Sequence, residues 1–331
     1  MRISRTVWIR VFQAILSVSL LYYLVQLIEW NSVRMLVESG VIHEMWSGPV
    51  VLLIGLSLAA ERWRMILQFF RVKISRFDAF YFYLTGTSYG VALPGVLGGD
   101  VVRIAMCQSK TGAATTAILT TVIIERGFGL FGVAIIGAIG ALAISSSLGH
   151  EVGNHVLLIS PAVVAGILLV LLATLLGTSH LGRLGSVAGY STKVGAIVRQ
   201  FVVLMKSFPI SLALKTLLLS TAFQASEIWI FYYFGSLLQI DVPISFYLFV
   251  VPLVYLSTVL PISLGGVGVR EGVLVWLFAM IGTPASDAVL LAFLVYLNRI
   301  VVAVLGGCVH FTMVFVKGRG TSPFKEKKNT Q

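Results

Sequence analysis

Leu93-Pro94-Gly95-Val96-Leu97-Gly98-Gly99-Asp100-Val101-Val102-Arg103 is answered later in the chain by Leu260-Pro261-Ile262-Ser263-Leu264-Gly265-Gly266-Val267-Gly268-Val269-Arg270. Both copies read L-P-x-x-L-G-G-x-x-V-R, seven identities in eleven positions, and both lie in otherwise apolar sequence. Proline and paired glycines interrupt a helix, and duplicated helix breaks at membrane depth are how many transporters build a central site. Leu, Val and Gly are common in this chain, so Pro and Arg at fixed spacing carry most of the match.

The surroundings decide what kind of break this is. Of the 331 residues, 58% are hydrophobic and 11% charged, and the mean hydropathy is +0.97. A soluble domain carries roughly 25% charged residues. The composition therefore predicts an all-α, polytopic integral membrane helical bundle forming a single domain over residues 1–331. Full spans are expected near 10–28, 48–67, 114–145, 155–177, 211–236 and 286–316, each close to or beyond the roughly 20 residues needed to cross hydrocarbon.

The formal charge of +11 is spread over short segments flanking apolar runs, so it reads as a topology signal and not as a nucleic-acid surface. Six crossings put both termini on one side. Arg2, Arg5 and Arg10 at one end and the basic tail 317–331 at the other assign that side to the cytoplasm of a cell inner (plasma) membrane. Arg62, Arg64, Arg71, Lys73 and Arg76 after the second span agree, as do Arg183, Lys193, Arg199, Lys206 and Lys215 before the span near 211. The opposite loops carry mainly Glu29, Glu38, Glu44, Glu151, Asp241 and Asp287. No small-x-small cleavage site follows the first apolar run, which is expected to remain as an uncleaved span.

This leaves two apolar stretches, about 77–110 and 243–283, that each enter and leave by one face. Each is expected to form a broken re-entrant hairpin, one opening to the cytoplasm and one to the outside. Each is followed by a long span bearing an arginine, Arg126 in Glu125-Arg126-Gly127 and Arg299 in Asn298-Arg299. Two inverted repeats result, about 77–145 and 243–316, related by an in-plane pseudo-twofold axis. The same hydropathy is met by two compact full spans per stretch, which gives eight or more crossings and no re-entrant loop.

Asp100, Arg103, Glu125, Arg126, Glu227, Arg270, Glu271 and Arg299 fall within apolar segments. A charge at the bilayer centre costs about 3 kcal/mol, so eight unpaired ones would cost on the order of 24 kcal/mol, more than a typical folding stability. Pairing or hydration is required. Arg103 and Arg270 each lie four residues beyond a Gly-Gly pair, where free backbone N–H groups and a guanidinium fork can converge on a phosphate or carboxylate. Gly98, Gly99, Gly265 and Gly266 would admit close backbone approach, or simply turn the chain. Internal salt bridges that fix helix packing are the competing role for these charges. Glu227 is open between neutralising an arginine and exchanging a proton.

Cys107 and Cys308 have no paired spacing, and no Walker, G-x-G-x-x-G, H-E-x-x-H or G-x-S-x-G pattern occurs. No metal, nucleotide or other cofactor is expected.

The set of Pro94, Gly98-Gly99-Asp100 and Arg103, then Glu125-Arg126, then Pro261, Gly265-Gly266, Gly268 and Arg270-Glu271 resembles the lysylphosphatidylglycerol synthase transmembrane family, also called flippase-like domain proteins. The resemblance covers nearly the whole chain. It implies a lipid translocator, in that family one that carries an aminoacylated phosphatidylglycerol made by a separate soluble domain. With the chain ending at Gln331, the flipping half is expected without the synthetic half.

The function expected is a flippase moving an anionic phospholipid or lipid-linked head group between leaflets, not an enzyme. Arg103 and Arg270 would contact the head group first, Arg126 and Arg299 next, with Asp100, Glu125 and Glu271 as their counter-ions. Alternatives are a membrane-embedded transferase acting on a polyprenyl-phosphate or phospholipid, a lipid-binding scaffold subunit serving a lipid-synthesis partner, and a small-solute transporter.

Overall fold

The computed structural model describes residues 41–92, 98–145, 208–258 and 268–318, with isolated positions between 19 and 38. After a 3-10 turn at Val41–Trp46 come eight helices: α1 Ser47–Phe69, α2 Arg76–Ala92, α3 Gly98–Thr111, α4 Thr115–Ser145, α5 Ile210–Leu237, α6 Ile244–Ser257, α7 Val269–Ala279 and α8 Ala285–Gly318. Among the described residues there is no strand. The expected span at 155–177 and all but isolated positions of that at 10–28 lie outside the described residues, as do Pro94, Pro261, Gly265, Gly266 and the basic tail from 319 on.

Local chemistry sets where these helices stop. At the end of α1, Arg71 adopts a left-handed backbone (φ 61°), its N–H donates to the Gln68 carbonyl, and Val72 N–H reaches back to Leu67. Gln239 (φ 57°) repeats the pattern after α5, with bonds to Ser236 and from Ile240 to Gly235. Both are Schellman turns, each closed by a buried apolar residue, Val72 and Ile240. Gly112 and Gly282, also at positive φ, end α3 and α7 in the usual way. At the start of α7 the Glu271 carboxylate accepts the Gly268 N–H at 2.7 Å, satisfying a donor that the helix itself leaves free.

Two described helices are long and apolar enough to cross a membrane, Thr115–Ile144 and Ala285–Phe315, with mean hydropathies of 2.3 and 2.4. Their outward faces carry Leu119, Ile123, Ile139 and Leu142, and Phe293, Val304, Phe311 and Phe315. Such faces suit hydrocarbon. α1 and α5 have 23 and 28 residues, enough to cross, but Glu61, Arg62 and Arg64 in the first and Gln224 and Glu227 in the second lower their hydropathy.

The expected hairpins are two helix pairs, α2–α3 and α6–α7. With 17, 14, 14 and 11 residues, these arms rise about 26, 21, 21 and 16 Å, each short of the roughly 30 Å hydrocarbon core. α2 and α3 touch through glycine: a Cβ on Gly99 would collide with the Gly86 carbonyl oxygen, and one on Gly86 would sit 2.9 Å from the Gly99 oxygen.

Packing crosses between the two halves. α2 lies along α8, and α6 lies along α4, while α1 and α5 pack on each other. Gly306 of α8 admits Ser88 and the Leu84 carbonyl of α2, and Gly140 of α4 admits the Leu248–Phe249 backbone of α6. Ser88 Oγ donates across the first of these seams to the Ala303 carbonyl at 2.6 Å. The larger core joins Phe231 and Phe234 of α5, Tyr247 and Val250 of α6, Leu274 and Phe278 of α7 and Leu291 of α8. A smaller one gathers Trp63, Leu67, Phe82 and Ile118 under α3.

Candidate functional site

The intramembrane charges assemble into two networks. In the first, Glu125 of α4 is fully buried and is reached from three other helices. Arg62 of α1 donates to its Oε1 at 2.6 Å, Tyr83 of α2 donates to the same oxygen, and Arg103 of α3 places Nη1 2.8 Å from Oε2. Arg62 also donates to Ser220 Oγ of α5 at 2.8 Å. The Arg103 guanidinium lies against an edge-to-face pair of aromatic rings, 4.9 Å from the Trp63 centroid and 4.5 Å from that of Tyr83. Trp63 is itself pinned by a 3.0 Å bond to Thr121. Cation–π contact with two rings and a nearby carboxylate offset the cost of burying this arginine.

The network continues outward through Asp100. Its Oδ1 is 2.9 Å from Arg103 Nη2, and its Oδ2 accepts from Arg126 Nε at 2.7 Å and from Arg126 Nη2. Arg126 ends the chain of contacts with 46% of its side chain exposed, whereas Arg103 keeps 5%. Beside it, a Cβ on Gly127 would find open space. Gly98 and Gly99 are half-buried in the first turn of α3 next to Asp100.

The second network is smaller. Glu227 of α5 accepts from Arg299 of α8 at 2.9 Å and from Tyr255 of α6, whose oxygen also accepts from Arg299 at 2.5 Å. Arg270 and Glu271, adjacent on α7, pair through Nε at 3.0 Å and Nη2 at 2.5 Å, with Arg270 over the Tyr296 ring. Among the described residues no ion pair connects these two pairs; α7 and α8, which carry Arg270–Glu271 and Arg299, pack on each other.

One helix touches both networks. Ser220 and Glu227 are seven residues apart on α5, two turns along one face, so the networks meet that helix about 10 Å from each other. α5 belongs to neither hairpin unit. It holds a residue of each.

The sign of charge separates them. Among the described residues the first network sets Arg62, Arg103 and Arg126 against Asp100 and Glu125, three cations against two anions. The second balances Arg270 and Arg299 against Glu227 and Glu271. A cavity of about 270 Å³ lies elsewhere, at the α5–α6 and α7–α8 turns, lined by Gln239, Asp241, Thr283 and Asp287 among others. Among the described residues no three metal-ligating side chains converge.

A family model described as the lysylphosphatidylglycerol synthase TM region matches residues 10–307. The chain belongs to this family. As a member of the lysylphosphatidylglycerol synthase TM-region family it is a membrane-embedded protein, and the networks above lie within its membrane domain. No curated protein matches the chain significantly.

Of the site residues expected from the sequence, Asp100, Arg103, Glu125 and Arg126 come together, Glu227 joins Arg299, and Arg270 joins Glu271. Gly265 and Gly266 lie outside the described residues. Arg62, Ser220, Tyr83 and Tyr255 were not anticipated. The sequence groups Arg62 with the basic residues after the second span, whereas the structure buries it in α1. Ala59, three residues before it, and Ile66, four residues after it, are both buried, so helical periodicity puts position 62 on the inward face. Glu61 and Arg64, paired on the other face, hid that signal inside a polar cluster.

Proposed function

We propose that this protein is a lipid translocator that moves an anionic lipid head group between leaflets while the acyl chains stay in the bilayer. The observation that carries the reading is the first network: a surplus guanidinium at the end of a buried ion chain, partly open, in a membrane domain. A surplus cation in hydrocarbon is costly alone and favours an anion beside it. The exposures put Arg126 ahead of Arg103 and Arg270 as the residue that meets the head group. Arg103 then serves as the fixed charge behind it.

The two hairpin units are proposed to be inverted repeats. Reciprocal packing supports this, because α2 of the first unit lies on α8 of the second and α6 of the second lies on α4 of the first. A twofold axis exchanges those two contacts. Arms too short to cross alone favour re-entrant hairpins, and rocking of one unit against the other would alternate access. The termini are placed in the cytoplasm. Cysteine labelling tests the orientation: Gly95→Cys should react from the cytoplasmic side and Ser263→Cys from the outer side, and labelling of both from one side would refute it.

Translocation itself is tested in vesicles holding the purified protein and a trace of acyl-labelled phosphatidylglycerol or phosphatidic acid. Wild type should expose outer-leaflet label at rates well above protein-free vesicles. Arg126→Ala should lower the rate at least tenfold with insertion intact. An unaltered rate removes the basis for the reading.

A further inference from the structure

Resting on the translocator reading, the charge balance of the first network narrows the head group. We propose that the site takes a phosphomonoester, a dianionic lipid phosphate, which displaces the Asp100 carboxylate from Arg103 and Arg126.

Asp100 and Glu125 are held differently. Glu125 is buried under hydrogen bonds from Arg62 of α1 and Tyr83 of α2 and an ion-pair contact with Arg103 of α3, so its removal from the network would strand two guanidiniums. Asp100 is partly open, and it occupies three guanidinium N–H donors on two helices: Arg103 Nη2, Arg126 Nε and Arg126 Nη2. A displaced Asp100 keeps a favourable place in the first turn of α3, where the helix dipole stabilises a carboxylate.

Charge balance at the site selects the ligand. With Asp100 displaced, Arg62, Arg103 and Arg126 face Glu125 alone among the described residues, three positive charges against one negative, a balance of +2. A phosphomonoester carries a charge close to −2 and three terminal oxygens, one for each vacated donor. A phosphodiester carries −1 and two free oxygens, and it leaves one cation uncompensated in a medium of low dielectric constant. Arg103 Nε, buried and without a hydrogen-bond partner, adds a spare donor. The open space at Gly127 leaves room beside Arg126. In the second network the corresponding loss of Glu271 leaves a balance of only +1, from Arg270 and Arg299 against Glu227.

The groups facing the phosphate are Asp100 and Arg103 from α3, Glu125 and Arg126 from α4, Arg62 from α1 and Tyr83 from α2. The ligand brings its own titration, because the second ionisation of a phosphomonoester lies near about pH 6. Its binding should therefore weaken as pH falls from 8 to 5. A phosphodiester has no such step and reports any titration of the protein.

The experiment is titration calorimetry of the full chain in neutral detergent with dioctanoyl phosphatidic acid, dioctanoyl phosphatidylglycerol and inorganic phosphate. At pH 8 phosphatidic acid should bind at least about tenfold more tightly than phosphatidylglycerol, and at pH 5 the preference should vanish. Arg126→Gln, at an exposed side chain, should remove the preference at pH 8, and Asp100→Asn should tighten both lipids. Equal affinity for the two lipids at pH 8 overturns the dianion class and leaves the translocator reading standing. Binding of neither lipid overturns both. Inorganic phosphate binding as tightly as phosphatidic acid overturns the lipid source in favour of free phosphate. Weaker binding by Asp100→Asn overturns the displacement step.

Discussion

The two hairpin units carry the same sequence phrase and similar arginines, yet their ion networks differ in both charge and cover. The first links charged side chains from α1, α3 and α4, keeps a surplus cation and ends in a partly open guanidinium. The second is neutral, and each of its arginines lies against an aromatic ring. A shared sequence phrase thus does not carry shared chemistry. What differs is the partner supplied from outside the repeat: Arg62 on α1 adds a cation to one network, and Glu227 on α5 adds an anion to the other.

Removing the central carboxylate of each network should sharpen that contrast most. Glu125→Ala leaves Arg62 and Arg103 buried without their shared counter-ion and is expected to cost about 3–5 kcal/mol, or to prevent folding. Glu227→Ala strands only Arg299, whose side chain is 27% exposed, and should cost about half as much. Thermal unfolding in detergent measures both, and equal losses would break the comparison.

A smaller effect is expected at the backbone of the first hairpin. Gly99→Ala drives a Cβ into the Gly86 carbonyl, so α2 and α3 must separate, at a cost of about 1–3 kcal/mol. Gly272→Ala in α7 meets no atom within 4 Å and should be neutral or slightly stabilising. Comparable destabilisation of the two would mean that close approach is not special to the first unit.

Tyrosine hydroxyls come next. Tyr255 bridges Glu227 and Arg299, so Tyr255→Phe should cost about 1–2 kcal/mol. Tyr83→Phe removes one of two hydrogen bonds to Glu125 and should cost less, since the Arg62 bond and the Arg103 ion pair remain. Equal losses in urea or thermal unfolding would show that the two carboxylates depend alike on their tyrosines. The smallest effect is a gain: Gln239→Gly relieves a left-handed non-glycine residue and should stabilise by about 0.5–1 kcal/mol.

Much of this arrangement is written in the chain. The apolar run 114–145 is α4, and acids and arginines inside apolar sequence had to pair because the bilayer penalises them singly. The identity of the partners was less legible. Glu125 meets Arg62 across 63 positions and Arg299 meets Glu227 across 72, and hydropathy carries no information about which helix faces which. The ranking of the arginines was hidden for a related reason. Arg103 lies deeper than Arg126 because Trp63 and Tyr83 close over it, and those rings come from α1 and α2.

The central claim is that an anionic lipid head group is held by the first network, at Arg126. A phospholipid carrying a photoreactive group next to its phosphate, incorporated with the protein in vesicles and irradiated, tests this most directly by peptide mapping. The account predicts cross-links on residues 98–103 and 125–129, lost in Arg126→Gln. Labelling confined to α7 and α8, or labelling that survives Arg126→Gln unchanged, would contradict it.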